Sequence, residues 1–264
     1  MSIPIKSEKD MVKMRIACET ASEILALIRD FVVPGRTTLE VDHYARDLMA
    51  ERECRSAFLG YVVNKVPFPG HICISLNEEV VHGIGGPRRI QPGDIVKVDV
   101  GIIKGGWVGD NATTIAAGPI SPEAIRLLKV TEEALFKGIE QARSGVPLKE
   151  LCGAIEGHVR RNGMSVVREF VGHGVGRKLH EEPQVPNYVA SGPNPRLKPG
   201  MVLAIEPMVN AGSASVQVQK DKWTVVTKDS RLSAHFEHSV LVTRGEPEIL
   251  TLRSAAVPKL AAVG

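Results

Sequence analysis

Apolar side chains recur at helical spacing between Glu8 and Phe31, at Met11, Met14, Ile24, Leu25, Leu27 and Ile28, and the pattern stops at Pro34-Gly35. A second helix is predicted from Thr37 to about Glu53, because Thr37-Thr38-Leu39-Glu40 has the spacing of a capping box. Apolar, β-branched runs then predict strands over 72–76, 95–103 and 107–116, separated by Gly and Pro turns. The order recurs in the second half. Ser121-Pro122 opens a helix that reaches about Ala142, and Pro147 opens another that ends at Asn162-Gly163. Further strands are predicted over 166–171, 201–209, 223–227 and 236–243.

The two halves also match in detail. Pro92-Gly93-Asp94-Ile95-Val96-Lys97-Val98-Asp99 aligns with Pro199-Gly200-Met201-Val202-Leu203-Ala204-Ile205-Glu206: a Pro-Gly turn, an apolar strand, and a carboxylate seven residues after the proline. Asp110 and Glu237 form a second pair, each followed by a β-rich run that reaches a glycine eight residues on, at Gly118 and Gly245. A duplicated helix-helix-strand-strand unit accounts for both pairings, with pseudo-repeats at about 7–118 and 119–250. Such a repeat brings four acids together around a pseudo-twofold axis. Nothing reads as an interdomain linker, so a single α+β domain is expected over 1–264.

Composition narrows the function classes. With 43% hydrophobic and 24% charged residues the chain is expected to be globular, and 264 residues suffice for a sizeable core. Its 33 basic and 30 acidic side chains leave a net charge of +3, spread along the sequence, which gives no case for nucleic-acid or membrane binding. The segment 254–264 contains one basic residue, Lys259, so it is no basic tail. No signal-peptide core and no bilayer-spanning apolar run is found. Cys18, Cys54, Cys73 and Cys152 show no paired spacing, so neither a disulfide framework nor a thiolate zinc site is expected, and a reducing cytoplasm is the default location.

The four repeated acids carry the first chemical signal. Any one of Asp99, Asp110, Glu206 and Glu237 is best read singly as a solvent-facing strand residue. Four at equivalent positions would repel one another or take up protons unless cations compensate them. The second signal is Gly172-His173-Gly174-Val175-Gly176, with His180 seven residues beyond His173. Glycines beside an imidazole allow close approach and unusual backbone angles, and the spacing is not that of a phosphate loop. His82, in Val81-His82-Gly83, also precedes a glycine in a turn, which alone is weak evidence. His43, His71, His158, His235 and His238 carry no independent functional argument. One imidazole with four carboxylates suits a dinuclear site for manganese, iron, cobalt or zinc, where two metals hold a hydroxide as nucleophile. Peptide, ester and phosphate hydrolysis stay open on this ground.

These motifs closely resemble the type I methionine aminopeptidases of the wider pita-bread metallopeptidases. The resemblance covers about Ser7 to Leu252, through Cys73-Ile74-Ser75-Leu76-Asn77, Val98-Asp99-Val100-Gly101, Gly109-Asp110, His180-Glu181-Glu182-Pro183, Ala204-Ile205-Glu206-Pro207-Met208 and Phe236-Glu237-His238-Ser239. It implies a pita-bread fold and removal of N-terminal methionine from nascent or newly made proteins. It further implies Asp99, Asp110, His173, Glu206 and Glu237 as ligands of two divalent ions (cobalt, manganese, iron, zinc or nickel), with Asp110 and Glu237 bridging. By the same resemblance His82 contacts substrate, His180 stabilises the tetrahedral intermediate and Glu206 shuttles a proton. Cys73, Trp223, Tyr61 and Phe68 match the lining of the methionine pocket, where a thioether packs well against sulfur and ring edges. The expected partners are Met-initiated N-termini, including nascent chains at the ribosome, and the expected state is a monomer.

Two features depart from the family pattern. The stretch from Tyr61 to His71 is longer than usual, and Leu179 stands where bacterial relatives commonly carry an aromatic residue. Both fall at the expected pocket rim. An Xaa-Pro peptidase shares fold and ligands but usually carries a further N-terminal domain. A non-catalytic binding protein of this fold would be marked by missing ligands, and all five are present. The short form without an N-terminal zinc-finger extension is the one expected.

Overall fold

The computed structural model describes residues 2–252 of the chain, so the segment 254–264 with Lys259 lies outside the described residues. Helix α1 spans Glu8–Phe31 and α2 spans Thr38–Glu51, each opened by a reciprocal capping box, Ser7 with Asp10 and Thr37 with Glu40. In the second half α3 spans Pro122–Ile139, its first turn capped by Ser121, and α4 spans Leu148–Arg161 behind Pro147. The expected extension of α3 to Ala142 is not helical: Gln141 and Ala142 donate three residues back, to Gly138 and Ile139, and the chain tightens into turns.

Ile95–Lys104 and Trp107–Ala116 pair along their whole length as an antiparallel hairpin, and Cys73–Leu76 and Arg55–Ser56 pair with the other edge of the first strand. The second half builds a five-stranded sheet in which Val202–Ile205 lies between Gly172–Gly174 and His238–Leu241, with Glu181–Val185 and Glu248–Ile249 outside them. The apolar faces of α1 and α2 pack with the first hairpin into one core, and those of α3 and α4 pack with the second sheet into another. Strands also cross between halves, since Val225–Thr227 pairs with Glu79–Val81. Lys97 is fully buried and donates to the carbonyls of Asn77 (2.8 Å) and Ser233 (2.9 Å), so one ammonium ties both halves together. Burial draws its pKa down to about 7.

Several expected strands are corrected. The run 201–209 is two strands, Val202–Ile205 and Met208–Asn210, in different sheets. Pro207 has no N–H to continue the ladder, so Glu206 is left at the break. Of 166–171 only Val166 pairs, in the short strand Ser165–Val166. Glu181–Val185 and the hairpin of Val62–Val63 with Val66–Pro67 escaped the sequence reading because they are short, contain proline and lack alternation. No helix among the described residues is long and apolar enough to cross a membrane.

Candidate metal centre and substrate cavity

Strand register decides which side chains meet, because residues two apart on a strand, and residues paired across strands, share a face. Asp99 pairs with Ala112 and Gly101 with Asp110, so both aspartates project from one face of the hairpin. Glu237 bridges Ala112 and joins that face from the second half. Ala204 pairs with His173, and Glu206 follows two residues later on the same side. All five predicted ligands line one cavity of about 260 Å³.

Asp110, His173 and Glu237 form the tightest group, each placing a donor atom within 4.8 Å of the others. His173 Nε2 lies 3.4 Å from Glu206 Oε1 and 3.8 Å from Asp110 Oδ2. Asp99 and Glu206 stand outside the tightest group but line the same cavity. Asp99 Oδ1, Asp110 Oδ1 and Glu237 Oε1 are buried with no hydrogen-bond partner. Gly101 makes room for this cluster, since a Cβ there would press into the Phe58 ring and reach within 3.2 Å of Asp110 Oδ1.

The electrostatics follow from burying several acids together. Burial pushes the Asp110 carboxyl up to about 7. Burial, followed by the charge of neighbouring acids, drives Asp99, Glu206 and Glu237 well above the usual carboxylate range. Burial lowers His173 to about 3, so the imidazole is neutral and its contacts with Asp110 and Glu206 are not ion pairs. Its Nδ1 donates to the Gly174 carbonyl at 3.0 Å, which leaves a lone pair on Nε2. Orphaned carboxylate oxygens around a neutral imidazole acceptor fit a divalent cation, which would compensate the charges and fill the unmade contacts.

The glycines around His173 provide the close approach expected of them but not the unusual backbone angles. Neither Gly172 nor Gly174 is in the left-handed region. A Cβ on Gly172 would strike the Ala204 carbonyl, and one on Gly174 the Glu182 carbonyl. They let neighbouring strands close around the imidazole.

The rest of the cavity wall includes Phe58, Tyr61, Phe68, Cys73, Leu179 and Trp223. The Phe68 and Trp223 rings meet edge to face at 5.1 Å, and Trp223 Nε1 donates to the Pro67 carbonyl at 3.2 Å. Burial raises the Cys73 thiol well above its usual range, so it remains a neutral, soft wall. His82 holds a left-handed backbone (φ 59°) and lies edge-on to Phe170 at 5.3 Å and Trp223 at 6.1 Å. His180 also lines the cavity, edge-on to His173 at 4.4 Å, with its Nδ1 hydrogen-bonded to the Tyr61 hydroxyl at 2.6 Å. Leu179, expected at the pocket rim, lines the cavity and is buried.

Sequence reasoning missed His235. It is buried, lines the cavity, and holds an unpartnered Nε2 3.8 Å from Glu206 Oε2. Its place two residues before Glu237 was the available signal, because β parity puts both on one side.

The sequence pattern of metallopeptidase family M24 matches residues 12–244. The methionine aminopeptidase of Clostridium perfringens is 45% identical over 250 residues, covering 95% of this chain and 99% of that protein. The methionine aminopeptidase of Escherichia coli K12 is 44% identical over 255 residues, covering 96% and 95%. The crystal structure of methionine aminopeptidase from Rickettsia prowazekii superposes with a TM-score of 0.91 at 40% identity, covering 95% of this chain and all of the other.

Proposed function

The chain belongs to metallopeptidase family M24, and from that premise we propose that it removes N-terminal methionine from peptides and newly made proteins by hydrolysing the first peptide bond. The observation that carries this reading is the juxtaposition in one cavity of a carboxylate-imidazole cluster and a wall of Cys73, Phe68, Tyr61 and Trp223. At about 260 Å³ the cavity lies just below the roughly 300–1,000 Å³ of small-molecule pockets, which suits one side chain and the start of a peptide.

In this reading Asp99, Asp110, His173, Glu206 and Glu237 are the residues that would hold two divalent ions. The ions, when bound, supply Lewis acidity for the scissile carbonyl and lower the pKa of water. Cys73, Phe68, Tyr61 and Trp223 seat the methionine thioether, while His82 contacts the substrate at the reacting end. Glu206 takes the proton released as water adds to the carbonyl carbon, and returns it to the nitrogen as the C–N bond breaks. His180 donates a hydrogen bond to the oxygen that gains charge.

The working unit is one catalytic domain with pseudo-repeats at 7–118 and 119–250, acting as a cytoplasmic monomer on Met-initiated N-termini as they emerge from the ribosome. Cleavage of Met-Ala-Ser, Leu-Ala-Ser and an Xaa-Pro peptide by protein reconstituted with cobalt, manganese, iron, zinc or nickel tests it. Methionine released from the first peptide alone, and lost on chelation, is the expected result. Preference for the Xaa-Pro peptide would overturn the assignment of substrate.

A further inference from the structure

Two imidazoles share the cavity, and their outer nitrogens are tied to opposite kinds of partner. His173 Nδ1 lies 3.0 Å from the Gly174 carbonyl, which can only accept. His173 therefore carries its proton on Nδ1 and presents a lone pair at Nε2. His180 Nδ1 lies 2.6 Å from the Tyr61 hydroxyl, which can donate or accept. No other partner competes for that hydroxyl among the hydrogen bonds of the described residues. A phenol O–H is a stronger acid than a neutral imidazole N–H, and an unprotonated imidazole nitrogen is a stronger acceptor than a phenol oxygen. The short contact is therefore the phenol donating to Nδ1, and the His180 proton is placed on Nε2.

We propose that Tyr61 is a positioning residue that sets the tautomer of His180, making its Nε2–H a fixed hydrogen-bond donor beside the metal-binding acids and withholding it from metal ligation. The adjacent rings then divide their labour by their second nitrogens. His173, with its free lone pair, is the imidazole that can ligate. His180, with Nε2 protonated, can only donate, which suits an oxygen gaining negative charge. Tyr61 reaches His180 from a position 119 residues earlier, across the cavity wall, with ring centroids 5.2 Å apart in an edge-on arrangement. Its hydroxyl proton is thereby committed to His180, and the phenol oxygen is left only as an acceptor. The kinetic consequence rests on the aminopeptidase reading; the tautomer does not.

The test is nitrogen NMR of zinc-loaded protein labelled with 15N-histidine, with the His180 signals assigned by their loss in His180→Asn. The expected wild-type spectrum shows His180 Nε2 protonated and Nδ1 bare. In Tyr61→Phe the two tautomers should mix, with zinc content unchanged. Turnover of Met-Ala-Ser should fall by about 10-fold in kcat with KM little changed, as when an outer hydrogen-bond partner is lost. A wild-type His180 protonated on Nδ1, or a Tyr61→Phe spectrum identical to wild type, would overturn the proposal without any reliance on activity. A mixed tautomer with wild-type kcat would overturn the positioning role. If neither protein cleaves methionine while the tautomer shifts as expected, the assignment of Tyr61 to His180 stands and the aminopeptidase reading falls.

Discussion

The backbones of Glu237 and Ala112 bond in both directions: the Glu237 N–H donates to the Ala112 carbonyl at 3.0 Å, and the Ala112 N–H donates to the Glu237 carbonyl at 3.4 Å. This bridge joins the two sheets and brings Asp110 and Glu237 within reach of one cation. Each acid keeps a buried oxygen without a hydrogen-bond partner. Asp110→Asn and Glu237→Gln each remove an anionic donor while conserving shape. Metal affinity should fall by at least about 100-fold, more than for loss of an outer partner, and turnover should vanish at ordinary metal concentrations. Titration followed by calorimetry reads the affinity directly, and wild-type binding in either variant would remove that residue from the ligand set.

Chelation should leave a protein whose stability, relative to the metal-loaded form, falls as pH rises through about 7. Asp110 is raised to about 7, and Asp99, Glu206 and Glu237 are raised as well. A carboxyl with a raised folded pKa binds its proton more tightly folded than unfolded, so its contribution is present at low pH and is lost as pH rises through the folded value. Imidazoles act oppositely: His82, His173 and His235 are lowered to about 4, 3 and 3, so their contribution is lost as pH falls below their ordinary 6.5. Lys97, lowered to about 7, also acts oppositely, but it does so in chelated and metal-loaded protein alike, so the carboxylate effect is read as the difference between the two forms above about pH 6.5. Denaturant unfolding between about pH 6.5 and 8.5 should show chelated protein weakening relative to metal-loaded protein, because ligation requires the ionised acids. Chelated protein that gained stability relative to metal-loaded protein over this range would contradict the raised carboxylates.

His180→Ala separates binding from chemistry. His180 contacts His173 ring to ring but is excluded from ligation by the tautomer assigned to it. The variant should hold wild-type metal and lower kcat by about 100-fold or more, the cost of one well-placed donor to a developing oxyanion. Metal content and steady-state kinetics on one preparation decide the matter. Full metal with undiminished kcat would leave His180 without a chemical role.

Much of this site was legible because the chain states it twice. The Pro-Gly-strand-carboxylate pattern at Asp99 and Glu206 reflects register, and register sets the side-chain face. The capping box at Thr37 and the Ser121-Pro122 start fixed helix beginnings through local chemistry. What was not legible depends on partners distant in sequence. Pro207 divides one apolar run between two sheets, and nothing local tells where Met208–Asn210 will pair. His235 is an ordinary histidine until the bridge at Ala112 brings its strand against the first hairpin. The pairing of Tyr61 with His180 spans 119 residues and leaves no periodic trace.

Lys97→Met tests the internal tie between halves. Removing the ammonium leaves the Ser233 carbonyl without that donor inside a packed region, while the Asn77 carbonyl still accepts from the Ser233 N–H at 3.0 Å. A buried unsatisfied group costs about 1–3 kcal/mol, so a loss of that size is expected from urea unfolding of metal-loaded protein. A change well below about 1 kcal/mol would show that water or relaxation satisfies the Ser233 carbonyl.

Trp223 should control affinity for the methionine side chain through the hairpin it pins. Its indole N–H holds the Pro67 carbonyl, and its ring supports Phe68 edge to face, so the pocket wall and the Val62–Val63/Val66–Pro67 hairpin are mechanically one piece. Trp223→Ala removes both the packing surface and the tie, leaving Phe68 free to tilt into the cavity. KM for Met-Ala-Ser should rise about tenfold or more, since truncating a buried aromatic anchor commonly costs over 1.4 kcal/mol of binding. Metal content should not change, because none of the hydrogen bonds of Trp223 among the described residues goes to the metal-binding acids. Trp223→Phe keeps a ring against Phe68 but abandons the Pro67 carbonyl, and so should fall between the two. The discriminating measurement is KM for all three proteins with their metal content. An unchanged KM in Trp223→Ala would mean that methionine is seated elsewhere in the cavity, and a loss of metal would mean that the wall also braces the ligands.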